Sequence, residues 1–364
     1  MVRWSGYLAP PASGNYLIGI KSAGAGRVAV GDKTVVQIYG GTDLGQVHLE
    51  KGVPVKLGVT CMFKSGVKPN VQLIWAPVDN TPDPAAVAAA KDADVAVVVV
   101  GITSRLEGEE MPVSYPGFNG GDRTNIKMPE PEEALVHAVA ATGRPLVIVL
   151  MNGSALAVNW EKEHADAILD AWYSGEEGGA AIADTLSGRN NPSGRLPVTF
   201  YKDVHQLPLF ENYSMKGRTY RYFSGTPLWP FGYGLSYTSF KYEDLTLPKA
   251  PLRAGEPLHI SVNVTNIGNL AGDDVVQLYL TFPERPGAPL RALRGFQRIH
   301  LAPGKSRTVK FDLDRRDLSM VDEAGDRIVA QGTYTVSVGG GQPNTGVPTV
   351  GSAFTVEDQI MLPE

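Results

Sequence analysis

Two continuous apolar runs, with a third strand-like stretch that Asp170 interrupts, limit most strongly what this chain can become. Residues 95–102 read VAVVVVGI, residues 146–151 LVIVLM and residues 167–172 AILDAW. Runs of that kind are expected of strands buried on both faces of a parallel sheet. Between them lie helical stretches. Residues 84–92 follow Asp83, a capping residue, and residues 130–141 have an acidic first turn and Gly143 just past their end, which suits helix termini. A further helix, 180–186, ends at Ser187-Gly188. Strand and helix in alternation predict an α/β layer over residues 81–200. With only about three units, that layer is small for a free-standing, doubly wound sheet.

The flanks read differently. In residues 1–80, short alternating runs (16–20, 27–30, 35–38, 55–61 and 71–75) are separated by turn residues, and 77–84 (PVDNTPDP) reads as a linker. Residues 201–245 form an aromatic, proline-interrupted connection with Tyr220, Tyr222, Phe223, Trp229, Phe231, Tyr233 and Tyr237. Such a stretch is either functional or packed across a domain face. Residues 246–358 return to strands (258–266, 275–281, 307–313, 333–338) with turns at 266–269 and 303–304, the pattern of a seven-strand sandwich. The fold class is multidomain α/β plus all-β: a partial β-sandwich module, a three-layer α/β domain and a C-terminal β-sandwich.

Composition excludes several functions. The charge sum, 33 basic minus 38 acidic residues, is −5, so nothing draws the chain as a whole to nucleic acid. Cys61 is the only cysteine, which excludes an internal disulfide and any zinc site built on paired cysteines. No stretch approaches the roughly 18 to 20 apolar residues of a membrane span, so no membrane partner is expected. The N-terminus, MVRWSGYLAPPASGNY, carries no apolar signal core and opens directly on strand-like residues. The chain is expected to start inside a domain.

Residues 103–127, TSRLEGEEMPVSYPGFNGGDRTNIK, follow the carboxyl end of the first apolar run. That edge of an open α/β sheet is where ligand sites gather. Glu107, Glu109 and Glu110 crowd together, and crowded carboxylates raise one another's pKa, which helps a general acid hold its proton. Asn119-Gly120-Gly121 predicts a turn that folds the loop back, with Asp122-Arg123 bracing it through an ion pair. The competing reading is a solvated acidic surface loop. Other signals are weaker. Pro303-Gly304-Lys305-Ser306 lacks the first glycine of a phosphate loop, and Gly232-Tyr233-Gly234 lacks the third glycine of a dinucleotide fingerprint. Ser154 has no nucleophile-elbow context. The six histidines (48, 137, 164, 205, 259 and 300) are scattered without an HExxH pair, so each reads as structural, and neither metal nor cofactor is expected.

Several segments resemble glycoside hydrolase family three. Residues 171–200 (AWYSGEEGGAAIADTLSGRNNPSGRLPVTF) are similar to the signature closing its α/β sandwich domain, and residues 218–240 (RTYRYFSGTPLWPFGYGLSYTSF) to its link into the C-terminal domain. Residues 258–338 resemble its fibronectin-III-like domain, and residues 4–76 most of a protective-antigen-type β module. The resemblance implies a retaining β-glucosidase or β-xylosidase using two carboxylates. In that family the nucleophile is an aspartate, often in Ser-Asp-Trp, on an N-terminal barrel, and the acid/base is a glutamate on a loop of the α/β domain.

By the same resemblance Glu109 is the first acid/base candidate, Glu107 the second and Glu110 the third, with Arg105 and Glu110 also named for substrate binding. Glu110 stands where a glycine is usual, so the choice among the three stays open. No Ser-Asp-Trp occurs, and the chain is expected to be the C-terminal portion of a longer hydrolase whose barrel is a missing partner. Substrates would be β-linked oligosaccharides or aryl glycosides, and the parent is compatible with export. Loss of the barrel would bare an apolar face and favour homo-oligomers. The alternative is a carbohydrate-binding or scaffolding protein without catalysis.

Overall fold

A computed structural model describes residues 1–109, 111 and 113–363. Glu110, one of the three candidate glutamates, lies outside the described residues. The chain divides into two compact units, Met1–Gly175 and Glu176–Glu364. Among the described residues, no helix is long and apolar enough to cross a membrane.

The first unit opens with seven strands: β1 (Val2–Leu8), β2 (Gly14–Ser22), β3 (Ala25–Val30), β4 (Lys33–Ile38), β5 (Gly41–Leu49), β6 (Val55–Met62) and β7 (Val71–Pro77). They form two antiparallel sheets, ordered β1-β6-β3-β4 and β5-β2-β7. Alternate residues Tyr16, Ile18 and Ile20 of β2 point inward and pack with Val28, Val59 and Cys61, as a half-buried strand requires. The alternating runs read from the sequence thus become strands. β5 was not among them.

Helix α1 (Pro84–Asp92) follows. As expected, the Asp83 side chain accepts a hydrogen bond from the Ala85 N–H, capping the helix. Next come β8 (Ala96–Gly101), the short hairpin β9 (Phe118–Asn119) and β10 (Asp122–Arg123), α2 (Glu130–Ala140), β11 (Leu146–Met151), α3 (Asn159–His164) and β12 (Ala167–Asp170). β8, β11 and β12 make a parallel sheet in the order β12-β11-β8, with Val97 beside Val147 and Val149 beside Leu169.

One expectation fails here. Only the central strand is buried on both faces, with Ile148 and Val149 both fully buried. β8 is an edge strand. Its Ala96, Val98 and Val100 are buried, while Val97 and Val99 are 49% and 60% exposed. The sequence run is uniformly apolar because valine suits either face of a strand, so the pattern cannot show that only one face is covered.

The second unit carries α4 (Gly178–Leu186), the single turn α5 (Thr219–Tyr222), and then β13 (Phe240–Thr246), β14 (Leu258–Asn266), β15 (Gly272–Thr281), β16 (Ala292–Leu301), β17 (Ser306–Leu313), β18 (Met320–Val321), β19 (Arg327–Val329), β20 (Gly332–Gly339), β21 (Thr349–Val356) and β22 (Ile360–Met361). Sheets ordered β13-β14-β17 and β16-β15-β20-β21 face each other across one core, which includes Leu258, Val262, Leu278, Leu280, Tyr334 and Val336. This is the sandwich that the turn spacing implied. Within it, Asp274 is buried and bonded on both oxygens. Arg195 Nη2 lies 2.9 Å from Oδ1, and the Tyr242 hydroxyl donates to Oδ2.

The open valine face is a local liability, because uncovered apolar area favours association. Sedimentation velocity of the chain is expected to show concentration-dependent self-association. The double variant Val97→Lys, Val99→Lys should associate about tenfold more weakly, and unchanged association would clear this face of the role.

Candidate active site

The loop from β8 to α2 begins with a turn in which the N–H groups of Leu106 and Glu107 both bond to the Thr103 carbonyl. That turn directs the Glu107 side chain back toward the end of β11. There it meets three donors. Its Oε1 accepts from the Ser154 hydroxyl, and its Oε2 accepts from the Tyr173 hydroxyl and, at 3.1 Å, from the Gly153 N–H. Arg123 Nη1 stands 3.8 Å from Oε1, and both side chains are only 13% exposed. Charge-assisted bonds of this kind are among the strongest available to a side chain.

Each partner has its own reason for being there. Gly153 is bare of a side chain because a Cβ would fall 2.7 Å from Glu107 Oε2 and 2.5 Å from the Tyr173 ring. Tyr173 turns toward Glu107 because Trp172, just after β12, adopts φ = 52°, a left-handed conformation uncommon outside glycine. Burial, followed by the bond to Glu107, pushes the Tyr173 hydroxyl well above its ordinary pKa, so it remains a donor. Arg123 is fixed by its other bonds, Nε to the Asn125 carbonyl at 2.9 Å, Nη1 to Ser154 Oγ at 2.9 Å and Nη2 to the Lys127 carbonyl at 3.1 Å, and it lies 5.2 Å over the Phe118 ring.

The expected turn is present. Gly120 and Gly121, both at positive φ (62° and 99°), close the β9–β10 hairpin, as a type I′ connection requires. A Cβ on Gly121 would strike the Gly108 carbonyl oxygen, so the two arms of the loop touch backbone to backbone. Beyond that point the tip rests on β5, where the Ser114 hydroxyl donates to the Gln46 carbonyl at 2.7 Å and the Ser114 carbonyl accepts from the Gln46 N–H. Beside the loop lies a cavity of about 130 Å³, lined in part by Gln46, Tyr115, Asn125, Lys127 and Glu130.

The candidates therefore separate. Glu107 is seated among donors. Glu109 and Arg105 are exposed, and among the described residues no hydrogen bond or ion pair holds either side chain. The brace expected of Asp122-Arg123 is made by Arg123 and is directed to Glu107. Ser154, Tyr173 and Gly153 were missed as site residues. In the sequence Ser154 reads only as a candidate nucleophile, although residues 152–154 leave the same sheet edge as the loop, which is the signal that could have found them.

Beneath this seat lies a less settled pair. Asn152 is fully buried and its Nδ2 donates to the Ser154 carbonyl at 2.9 Å, while Asn152 Oδ1 and Asp170 Oδ2 are buried without a partner. Burial raises the Asp170 pKa to about 6, against the pull of the Trp172 N–H and the Asn152 side chain. A proton on Asp170 Oδ2 turns that oxygen from an unpartnered acceptor into a donor and removes the buried charge.

Comparison with known proteins shows the family of the chain. Residues 1–237 match the glycosyl hydrolase family 3 C-terminal domain, and residues 274–342 match a fibronectin type III-like domain. The chain belongs to glycosyl hydrolase family 3. It is 38% identical to a xylan 1,4-β-xylosidase of Xylanibacter ruminicola over 331 residues, covering 90% of this chain and 38% of that protein. It is 36% identical to a periplasmic β-glucosidase of Salmonella typhimurium over 352 residues, covering 93% of this chain and 42% of that protein. Among solved structures, a β-glucosidase from Streptomyces venezuelae in complex with D-glucose superposes with a TM-score of 0.76 at 29% identity, over 96% of this chain and 46% of the other. The chain thus spans less than half the length of these family 3 relatives.

The Asp170 pKa has a direct consequence for stability. A folded-state pKa raised from 3.8 to about 6 means that the folded chain binds the proton more tightly than the unfolded one. The stabilisation is complete below about pH 4 and is lost as pH rises through about 6. Asp170→Asn supplies the missing donor at every pH. Its melting temperature relative to wild type should therefore rise between pH 4 and pH 7. A difference that stays flat over this range would show that Asp170 does not titrate there.

Proposed function

We propose that this chain is the C-terminal part of a retaining β-glycosidase of β-glucosidase or β-xylosidase type. In this reading it supplies the acid/base carboxyl, while the nucleophile is carried by barrel polypeptide outside these 364 residues. The observation that carries the reading is the seating of Glu107 on Gly153, Ser154 and Tyr173. That seat fixes the glutamate-bearing loop at the carboxyl edge of the sheet, in a chain of this family.

The two described glutamates divide the work. Glu107 accepts three hydrogen bonds and faces Arg123, so its carboxylate is committed to holding the loop, and it serves as the positioning residue. Glu109, two residues further along and exposed, is free to reach a glycosidic oxygen and is the acid/base. It first protonates the leaving oxygen and then takes a proton from the water that releases the sugar from the nucleophile. Arg105, also exposed, and Glu110 are candidates for contact with substrate hydroxyls. Supporting the substrate class are the names of the relatives, β-xylosidases and β-glucosidases. Residues 1–80 act in this reading as a protective-antigen-type module beside the loop tip.

General acid–base assistance supplies about 10²- to 10⁴-fold, short of the 10⁶-fold or more typical of enzymes. The 364-residue chain alone should therefore hydrolyse aryl β-glucosides and β-xylosides negligibly, and a polypeptide carrying the barrel should restore turnover. In the restored enzyme Glu109→Gln should slow substrates with poor leaving groups by about 10² or more, and activated ones far less. Glu107→Gln should slow both alike, because it loosens the loop. The opposite assignment of these two effects would transfer the acid/base role to Glu107. Turnover by the isolated chain that disappears in Glu109→Gln would refute the division of carboxylates.

A further inference from the structure

α2 and α3 bring together three side chains with no place in the mechanism above. Glu133 and His137 stand four residues apart on α2 and so share one face. Glu161 comes from α3. One potential ligand atom from each lies within 4.8 Å of the others. From this juxtaposition we propose that Glu133, His137 and Glu161 bind one divalent transition-metal ion, with zinc as the simplest occupant.

Three observations support the site. The first is burial. Glu161 is only 2% exposed, and among the described residues no hydrogen bond from another residue reaches its carboxylate. Taking a carboxylate out of water without outside donors is costly. A cation between the two carboxylates and the imidazole offsets that cost.

The second is geometry. Tetrahedral zinc with ligands at about 2.1 Å places ligand atoms about 3.4 Å apart. The three side chains need close by little more than about an ångström, which small torsional changes provide. The third is support from neighbouring groups. The His137 ring packs 4.1 Å from that of Trp160, which itself stacks on His164 at 4.1 Å, and His164 Nδ1 is tied to the Trp160 carbonyl at 2.7 Å. Packing of this sort fixes a ligand ring. His137 is exposed and Glu133 lines the 130 Å³ cavity, so an ion has a way in and a water can complete the coordination.

The donor set decides the class of ion. One imidazole nitrogen with two carboxylate oxygens suits zinc, cobalt or manganese, whereas magnesium and calcium prefer oxygen alone. The sequence offered no such hint, since the ligands are split between two helices and the spacing on α2 is Glu-x-x-x-His rather than a familiar zinc motif. An ion held here would clip α2 to α3, the helices immediately before and after β11.

The test is equilibrium dialysis of the untagged, chelator-stripped chain against zinc chloride, with metal analysis and thermal melts. One equivalent should bind saturably in the micromolar range and raise the melting temperature. Magnesium chloride in tenfold excess (about one logarithmic unit) should not displace it, and cobalt chloride should give visible absorption that titrates to one equivalent. His137→Gln and Glu161→Gln should each weaken zinc binding at least about tenfold, while His205→Gln, at an exposed histidine of the other unit, should leave it unchanged. His137 is exposed, so its variant carries the test even if Glu161→Gln fails to fold. Absence of saturable zinc binding, binding that survives in His137→Gln, or equal loss in His205→Gln would overturn the proposal.

Discussion

The α/β layer of the first unit depends on a single strand. β11 is hydrogen-bonded in parallel on both edges, to β8 and to β12, and Leu146, Ile148, Val149 and Leu150 are almost wholly buried. A strand paired on both sides and packed on both faces has no freedom to shift register, because a slip of one residue exchanges its faces. Whatever leaves its carboxyl end is therefore fixed in space. Gly153 and Ser154 leave there, and they receive the carboxylate that anchors the glutamate loop. The seat is as rigid as the strand beneath it.

Polar satisfaction divides the molecule in an informative way. Asp274 in the second unit is buried with both oxygens bonded, and burial still raises its pKa against the pull of Tyr242 and Arg195. Such a group specifies a packing arrangement without being free to change its state. Glu107 is similar. Directly below it, Asp170 and Asn152 each keep one buried oxygen without a partner. The contrast is between carboxylates that hold a structure and one whose protonation state follows pH.

Much of this architecture was legible in the sequence, and the gaps have physical causes. β11 follows its apolar run residue for residue, the Asp83 cap forms, and the Asn119-Gly120-Gly121 turn closes a hairpin. β5, with the sequence GTDLGQVHL, gives a weak pattern because two of its three buried residues are Gly45 and Gln46, which leaves Val47 and Leu49 as its apolar contribution to the core. β16, ALRGFQRIHL, is interrupted by charged residues on its exposed positions and by Gly295. The single covered face of β8 was invisible because valine was used on both sides. At the site, the acidic loop and its arginine could be read, but the tyrosine could not. Tyr173 reaches Glu107 across 66 residues through a left-handed tryptophan, and no local pattern encodes that contact.

The backbone contact between Gly108 and Gly121 separates the loop into a clamped base and a supported tip. Chain added between those two glycines would lengthen only the tip, and doubling the length of a closed loop costs about 0.6 kcal/mol. The base, with its anchored carboxylate, would not register the change. Insertions and deletions in the tip are thus nearly neutral for stability, and Glu107 at the root keeps its seat while the position of Glu109, which lies in the tip, depends on the tip's length.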